Sequence, residues 1–215
     1  HISLYCLTIE PGTPMQRWLS GGAIPAPDAD VAADQYELAG RELAAAGFDH
    51  YEISNWARPG RECRHNVVYW RNEPYLGLGA GAHGLAGGYR YQVVRQPRAY
   101  VRRIRNYELG IRNEEGEQGS RGEAAQFPLS SAVAAHHQVS SEEAMSDTAV
   151  TQLRLLDEGL DMAGFANRFG RAFDDVYANE VQQLEAWQLL HRRDGRLLLT
   201  ERGRFLSNQV FYRFV

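Results

Sequence analysis

Residues 1–54 constrain the fold most, because they set a strand-like run, a capped helix and a second strand in succession. The run ISLYCLTIE is rich in β-branched, aromatic and leucine residues, a composition that suits a pleated, partly buried strand. PGTPM and SGGAIPAPDAD read as turn and loop from their Pro and Gly content. A helix is expected from about Asp28 to Ala46, with Val31, Tyr36, Leu38, Leu43 and Ala45 able to share one side and Gly47 ending it. HYEIS then forms the next strand. Strand, helix, strand reads as a parallel α/β unit, and such units gather chemistry at the carboxyl ends of their strands. Thr8, Glu10, Ser54, Asn55 and Trp56 fall at those ends, although Ser54 and Asn55 serve equally well as local caps of the backbone. The chain opens in mid-strand without Met or cap, so earlier strands of the same sheet are expected upstream.

The segment from His50 to Gly84 crowds aromatics, histidines and glycines together. Tyr51, Trp56, Tyr69, Trp70 and Tyr75 offer flat apolar faces with polar edges, and His50, His65 and His83 offer nitrogens that titrate and ligate metals. The cluster His65-Asn66-Val67-Val68-Tyr69-Trp70 is the most specific part. One imidazole there can bind iron axially while the rings face a large planar ligand. By base rate, a His beside Asn among aromatics is more often a satisfied core pair. GLGAGAHG holds G-x-G, yet no helix start follows and no acidic ribose partner lies at the required distance, so a dinucleotide fingerprint is rejected. A tight backbone passage beside a ligand fits it better.

YRYQVV is expected as a short strand, and Pro97 opens a helix to about Leu109 with Tyr100, Val101, Ile104 and Tyr107 on its apolar stripe. Arg112 to Ser141 has little periodicity and reads as linker or mobile insertion. Helical pattern returns from Glu142 and continues through DMAGFANRFG to a helix ending near His191. Asp194-Gly195 turns into RLLLT, and Thr200 caps a last helix carrying Phe205, Leu206, Val210 and Phe211. Helices with a small hairpin suggest a winged-helix-like domain. Between Val176 and His191 no row of basic residues stands ready for a groove, which argues against nucleic acid.

Charge agrees with that reading, since the net value is -4 and all 23 basic residues are Arg, without the strong basicity of nucleic-acid or anionic-membrane binders. Cys6 and Cys63 are the two cysteines, far apart and outside any metal-site spacing, so a disulfide framework or self-contained cluster is not expected and a cytoplasmic location is. No run approaches the roughly 20 apolar residues of a membrane span.

Taken together and in order, HISLYCLTIEPGTPM, HYEISNWARPG, ECRHNVVYW and YLGLGAGAHG, followed by LRLLDEG, FANRFG and LLLTERGRFL, resemble the HemW-type heme chaperones of the radical SAM superfamily. These are relatives of the oxygen-independent coproporphyrinogen III oxidases. The resemblance implies an α/β fold: the C-terminal part of a partial (β/α) radical SAM barrel over residues 1–111, the linker over 112–141, and a small helical, winged-helix-like domain over 142–215. It implies heme binding by His65, Asn66, Tyr69 and Trp70, with His65 the candidate heme-iron ligand, and places Thr8, Ala82 and His83 on the S-adenosylmethionine side. It implies delivery of heme to acceptor proteins such as respiratory enzymes, compatibility with a homodimer, and membrane association only through partners. The family's CxxxCxxC motif, which ligates a [4Fe–4S] cluster, has no counterpart in these residues, and neither cysteine replaces it. Both the cluster and S-adenosylmethionine are therefore expected only with an upstream part. Radical coproporphyrinogen III decarboxylation is the rival reading, disfavoured because LTIEPGTP and HNxxYW resemble the chaperone branch.

Overall fold

A computed structural model describes residues 1–108 and 127–215. The chain divides into two units, one of His1–Val67 with Ala149–Val215 and the other of Val68–Thr148. In the first unit, β1 (Ile2–Ser3) leads to a short helix α1 (Pro14–Ser20) that lies where only a turn is expected. Thr13 caps it by accepting from the Gln16 amide at 3.2 Å, while Gln16 Oε1 reaches back to the Gly12 amide at 2.6 Å. The N-cap bond is that of a capping box, but the return bond falls on Gly12, one residue before the cap, and Pro14 sits where a missing N–H is harmless. Helix α2 (Ala29–Ala45) follows its expected bounds closely, because Asp28 Oδ1 accepts from the amides of Asp30 and Val31 and Gly47 supplies a positive φ of 78° beyond its end.

β2 (Asp49–Glu52) and β3 (Asn55–Ala57) complete a sheet in the order β1-β3-β2. Both pairs are antiparallel, with Ile2 and His50 each opposite Trp56. The expected strand–helix–strand unit is therefore present in direction but not in pairing: β3 inserts between β1 and β2, because a tight turn with a register shift after His50 folds the chain straight back. The ladder extends past β2 through Leu155, as the Ile53 amide donates to the Arg154 carbonyl at 3.3 Å and the Leu156 amide to the Tyr51 carbonyl at 3.0 Å.

Helix α3 (Arg64–Trp70) carries the chain from the first unit into the second. The second unit is built on β4 (His83–Ala86) and β5 (Tyr89–Val93), then α4 (Pro97–Glu108), then β6 (Val133–Gln138). The three strands form one antiparallel sheet in the order β4-β5-β6. Ala86, Tyr91, Val93, Val94 and Ala132 form its core, and α4 packs Ala99, Tyr100 and Ile104 against it. Residues 112–126 of the expected linker lie outside the described residues, but Val133–Gln138 is strand and corrects that expectation for its later part. β6 is an exposed edge, held by its backbone ladder to β5 more than by an apolar face, so its sequence VAAHHQ shows no alternation to betray it.

Helix α5 (Ser141–Gln152) returns the chain to the first unit, where β7 (Leu160–Asp161), α6 (Met162–Phe169), α7 (Phe173–Ala186), β8 (Leu190–Arg193) and β9 (Arg196–Leu199) follow. The strand order β7-β9-β8, with the helices preceding the hairpin, is the expected winged-helix arrangement. Asp194 and Gly195 both take positive φ, 52° and 74°, which suits the tight turn that joins β8 to β9. Thr200 caps α8 (Glu201–Phe205) through the Gly203 amide at 2.9 Å, and Leu206 breaks the expected last helix before α9 (Ser207–Phe211). Helix α7 stops at Ala186, short of the expected His191. Phe165, Phe173, Val181, Leu184, Leu197, Leu198 and Val210 fill this core with 2% exposure or less.

Candidate functional site

The HNxxYW residues lie on α3, a helix of seven residues with no buried side chain. Four-residue spacing sets His65 with Tyr69 on one face and Asn66 with Trp70 beside it. His65 is exposed, while Asn66, Tyr69 and Trp70 are half-buried. His65 and Asn66 fall in the first unit and Tyr69 and Trp70 in the second.

Two anchors fix this helix in its own surroundings. At its start, the Val67 amide donates to the Cys63 carbonyl at 3.0 Å. The Tyr51 hydroxyl of β2 meets the Cys63 backbone and the Asn66 side chain; burial pushes its pKa up, and those hydrogen bonds oppose the rise. Tyr51 also meets His1 Nε2 at 2.8 Å. Asn66 thus helps to hold the helix on the sheet, a task its place in the motif does not reveal. At the other end, Asn72 takes a left-handed φ of 52° and its buried amide donates to Thr148 Oγ1 at 3.0 Å. Tyr69 packs edge-on to Tyr75 with ring centroids 4.4 Å apart, and burial raises the Tyr75 pKa.

The glycine-rich stretch after Tyr75 packs against the protein at Gly77 and Gly84, while Leu76 and Leu78 on either side of Gly77 are exposed. Tyr75 and Leu85 bridge as antiparallel partners, and the Gly77 amide donates to the Tyr91 hydroxyl at 3.0 Å. A Cβ on Gly77 would collide with the His83 backbone, and one on Gly84 with the Tyr91 ring. Ala82 accepts from the Val93 amide at 2.8 Å, and exposed His83 stands opposite Gln92. Thr8 is exposed in the first unit, on a stretch without regular structure, and the strand expected through that region ends at Ser3. Among the described residues no group of three His, Cys, Asp or Glu is placed to hold a metal ion, and no helix is long and apolar enough to cross a membrane.

The strand-end candidates resolve into structure. Glu10 offers its carbonyl to Thr13 Oγ1 at 2.8 Å, a turn contact. Asn55 and Trp56 begin β3, both with 2% exposure or less, and Ser54 precedes them in the turn. Glu52, fully buried, was not singled out by its sequence. It binds Arg154 at 2.7 Å, the Ser54 amide at 3.0 Å and the Asn55 side-chain amide. His50 stacks on Trp56 with centroids 3.9 Å apart and planes 9° apart, and its Nε2 lies 3.2 Å from the Tyr36 hydroxyl and 3.1 Å from the Ile53 carbonyl. Burial pushes the Tyr36 phenol up to about 12 and pushes His50 below its ordinary range.

That depressed imidazole has a consequence for acid stability. The unfolded chain takes a proton at His50 near pH 6.5, whereas the folded chain resists it, so the folded state loses ground as pH falls below that value. The melting temperature is expected to fall between pH 7 and pH 5, and to fall less in His50→Gln. An equal fall in both proteins, followed by circular dichroism, would remove His50 from the effect.

Residues 139–206 match the family described as HemN C-terminal domain. The chain is 32% identical over 215 residues to heme chaperone HemW of Bacillus subtilis, covering 100% of this chain and 51% of that protein. It is 35% identical over 210 residues to heme chaperone HemW of Mycobacterium tuberculosis, covering 98% and 46%. A mitochondrial radical S-adenosyl methionine domain-containing protein 1 of Mus musculus is 49% identical over 84 residues, covering 39% and 19%. In fold, the chain is similar to coproporphyrinogen III oxidase (HemN) from Escherichia coli, with TM-score 0.59 and 17% identity over 93% of this chain and 44% of that one. The chain spans about half the length of the heme chaperones it matches. The alignment takes in nearly the whole of this chain and the HemN C-terminal domain its last third, so the chain is similar along its length to one half of the heme chaperones HemW.

Proposed function

We propose that this chain carries a heme-handling segment of a heme chaperone, with His65 as the axial ligand of the cargo and Asn66, Tyr69 and Trp70 around it. The observation that carries the reading is the exposed imidazole of His65 on α3, one turn from Tyr69, in a chain that aligns end to end with proteins named heme chaperone HemW. An exposed imidazole beside ring faces is the donor set that a planar iron porphyrin requires. Heme brings an iron that accepts a ring nitrogen. The chain's part is to hold α3 through Tyr51 and Asn72, so that His65 is presented from a fixed helix and not from a loose loop.

S-adenosylmethionine and a [4Fe–4S] cluster belong, in this proposal, with the further length of the relatives, and Thr8, Ala82 and His83 are the residues of this chain assigned to the S-adenosylmethionine side. Heme-accepting proteins such as respiratory enzymes are the proposed recipients, and the cytoplasm the proposed location. The domain limits at 1–111 and 142–215 are retained as part of the same proposal. Hemin titration tests the central assignment. His65→Ala should weaken affinity on the order of tenfold or more and shift the Soret band, since loss of an outer partner of a metal ligand already costs about 10- to 100-fold. Unchanged affinity and spectrum would remove His65 from the axial role.

A further inference from the structure

Helix α4 sets an apolar inner face against an outer face rich in arginine. Its inner face packs Ala99, Tyr100 and Ile104 on the sheet, and half-buried Arg103 donates to the Val133 carbonyl at 3.1 Å. Its outer face shows Arg98, Val101, Arg102 and Arg105, all exposed and spaced three, four and seven residues apart on one stripe. Arg41 pairs with Glu37, Arg90 with Asp147, Arg192 with Asp174 and Arg196 with Asp161, while Arg17, Arg61 and Arg171 are exposed on other segments, apart from α4. Among the described residues, no carboxylate pairs with Arg98, Arg102 or Arg105. Acidic residues outnumber basic ones in the chain, 27 to 23, so three exposed arginines on one helical face, paired with no carboxylate among the described residues, form a local field opposite in sign to the whole.

We infer that the outer face of α4 docks an acidic protein segment, with carboxylates at three- to four-residue spacing meeting Arg98, Arg102 and Arg105 and a small apolar side chain meeting Val101. Guanidinium forks suit carboxylates in bidentate geometry, and arginine with a central apolar contact is the composition of a protein interface. Val101 is 51% exposed in the middle of the stripe, an apolar contact that a phosphate backbone does not use. No aromatic ring stands exposed on this face to stack a base. A single valine also gives too little apolar area for a helix to lie in a lipid interface.

The test uses the full chain and a synthetic helical peptide with Glu at three- and four-residue intervals around Leu, with single-stranded oligothymidylate and phosphatidylglycerol vesicles as parallel probes. The triple variant R98E/R102E/R105E should weaken peptide binding on the order of tenfold or more, and Val101→Asp should weaken it too. A variant with the same net charge, R17E/R61E/R171E, should bind the peptide nearly as the parent does. Equal loss in both triple variants, no binding of the peptide by the parent, or binding of DNA or vesicles as tight as that of the peptide would each overturn the inference. Melting curves that match the parent's establish that both triple variants are folded, and His65-dependent hemin binding, measured alongside, separates this surface from the heme assignment.

Discussion

Replacing Glu52 by alanine will lower the free energy of unfolding by about 3–5 kcal/mol. The carboxylate has 0% exposure and binds on both oxygens. Oε1 accepts from Arg154 Nε at 2.8 Å and lies 2.7 Å from Nη2, while Oε2 accepts from the Ser54 amide at 3.0 Å and from Asn55 Nδ2. Asn55 in turn accepts from the Ser3 hydroxyl at 2.6 Å, so the carboxylate sits at the middle of a chain of contacts from β1 to the turn after α5. Burying the charge is costly in itself, and the pair as a whole adds little net stability over an apolar substitute. Taking away one partner is a different matter. It strips the Arg154 guanidinium, whose side chain is only 24% exposed, of its carboxylate and leaves the buried Asn55 side-chain amide and the half-buried Ser54 amide without their acceptor.

Glu52→Met combined with Arg154→Met removes both charges and should recover much of the loss, a coupling that additive contributions could not produce. Urea unfolding at constant m-value reads both. A loss below about 1 kcal/mol in Glu52→Ala would mean that the carboxylate is not buried against Arg154 as described.

What the sequence revealed follows the range of the forces involved. Helix α2 was legible at both ends because Asp28 and Gly47 act on backbone groups within a turn of themselves. The β8–β9 hairpin was legible at Asp194-Gly195 for the same reason. Helix α7 was expected to run on to His191, but Gln188 takes a φ of 58° and its amide returns to the Glu185 carbonyl; a left-handed Gln carries no local signature. The insertion of β3 between β1 and β2 depends on pairing with residues more than fifty positions away, and the Glu52–Arg154 contact spans 102 positions. No periodicity reports such choices. At the candidate site the residue types of HNVVYW were visible, while their helix, the exposure of His65 and the hold of Tyr51 on Asn66 were settled by packing. The glycines of GLGAGAHG were legible as close approach, but what approaches at Gly77 and Gly84 is the protein's own β4 backbone and the Tyr91 ring.

Trp56→Ala should cost about 3–5 kcal/mol, the range for truncating a large aromatic in a packed core. Trp56 has 0% exposure on the central strand of its sheet, opposite Ile2 on one side and His50 on the other. Its ring stacks on His50 at 3.9 Å and meets Tyr36 edge-on at 5.8 Å, and Tyr36 continues to Phe205 at 5.5 Å. Collapse into the space left behind is hindered, because the neighbours are held by polar contacts of their own: Tyr36 donates to the Ile53 carbonyl at 2.8 Å and His50 lies 3.1 Å from the same oxygen. A void beside fixed walls keeps its full cost, so the upper half of the range is the expectation. Trp56→Phe retains a ring for His50 to stack on and should lose less than half as much. Equilibrium unfolding of the two variants is the measurement: a loss in Trp56→Phe as large as that in Trp56→Ala would show that a ring stacked on His50 is not what holds this site together.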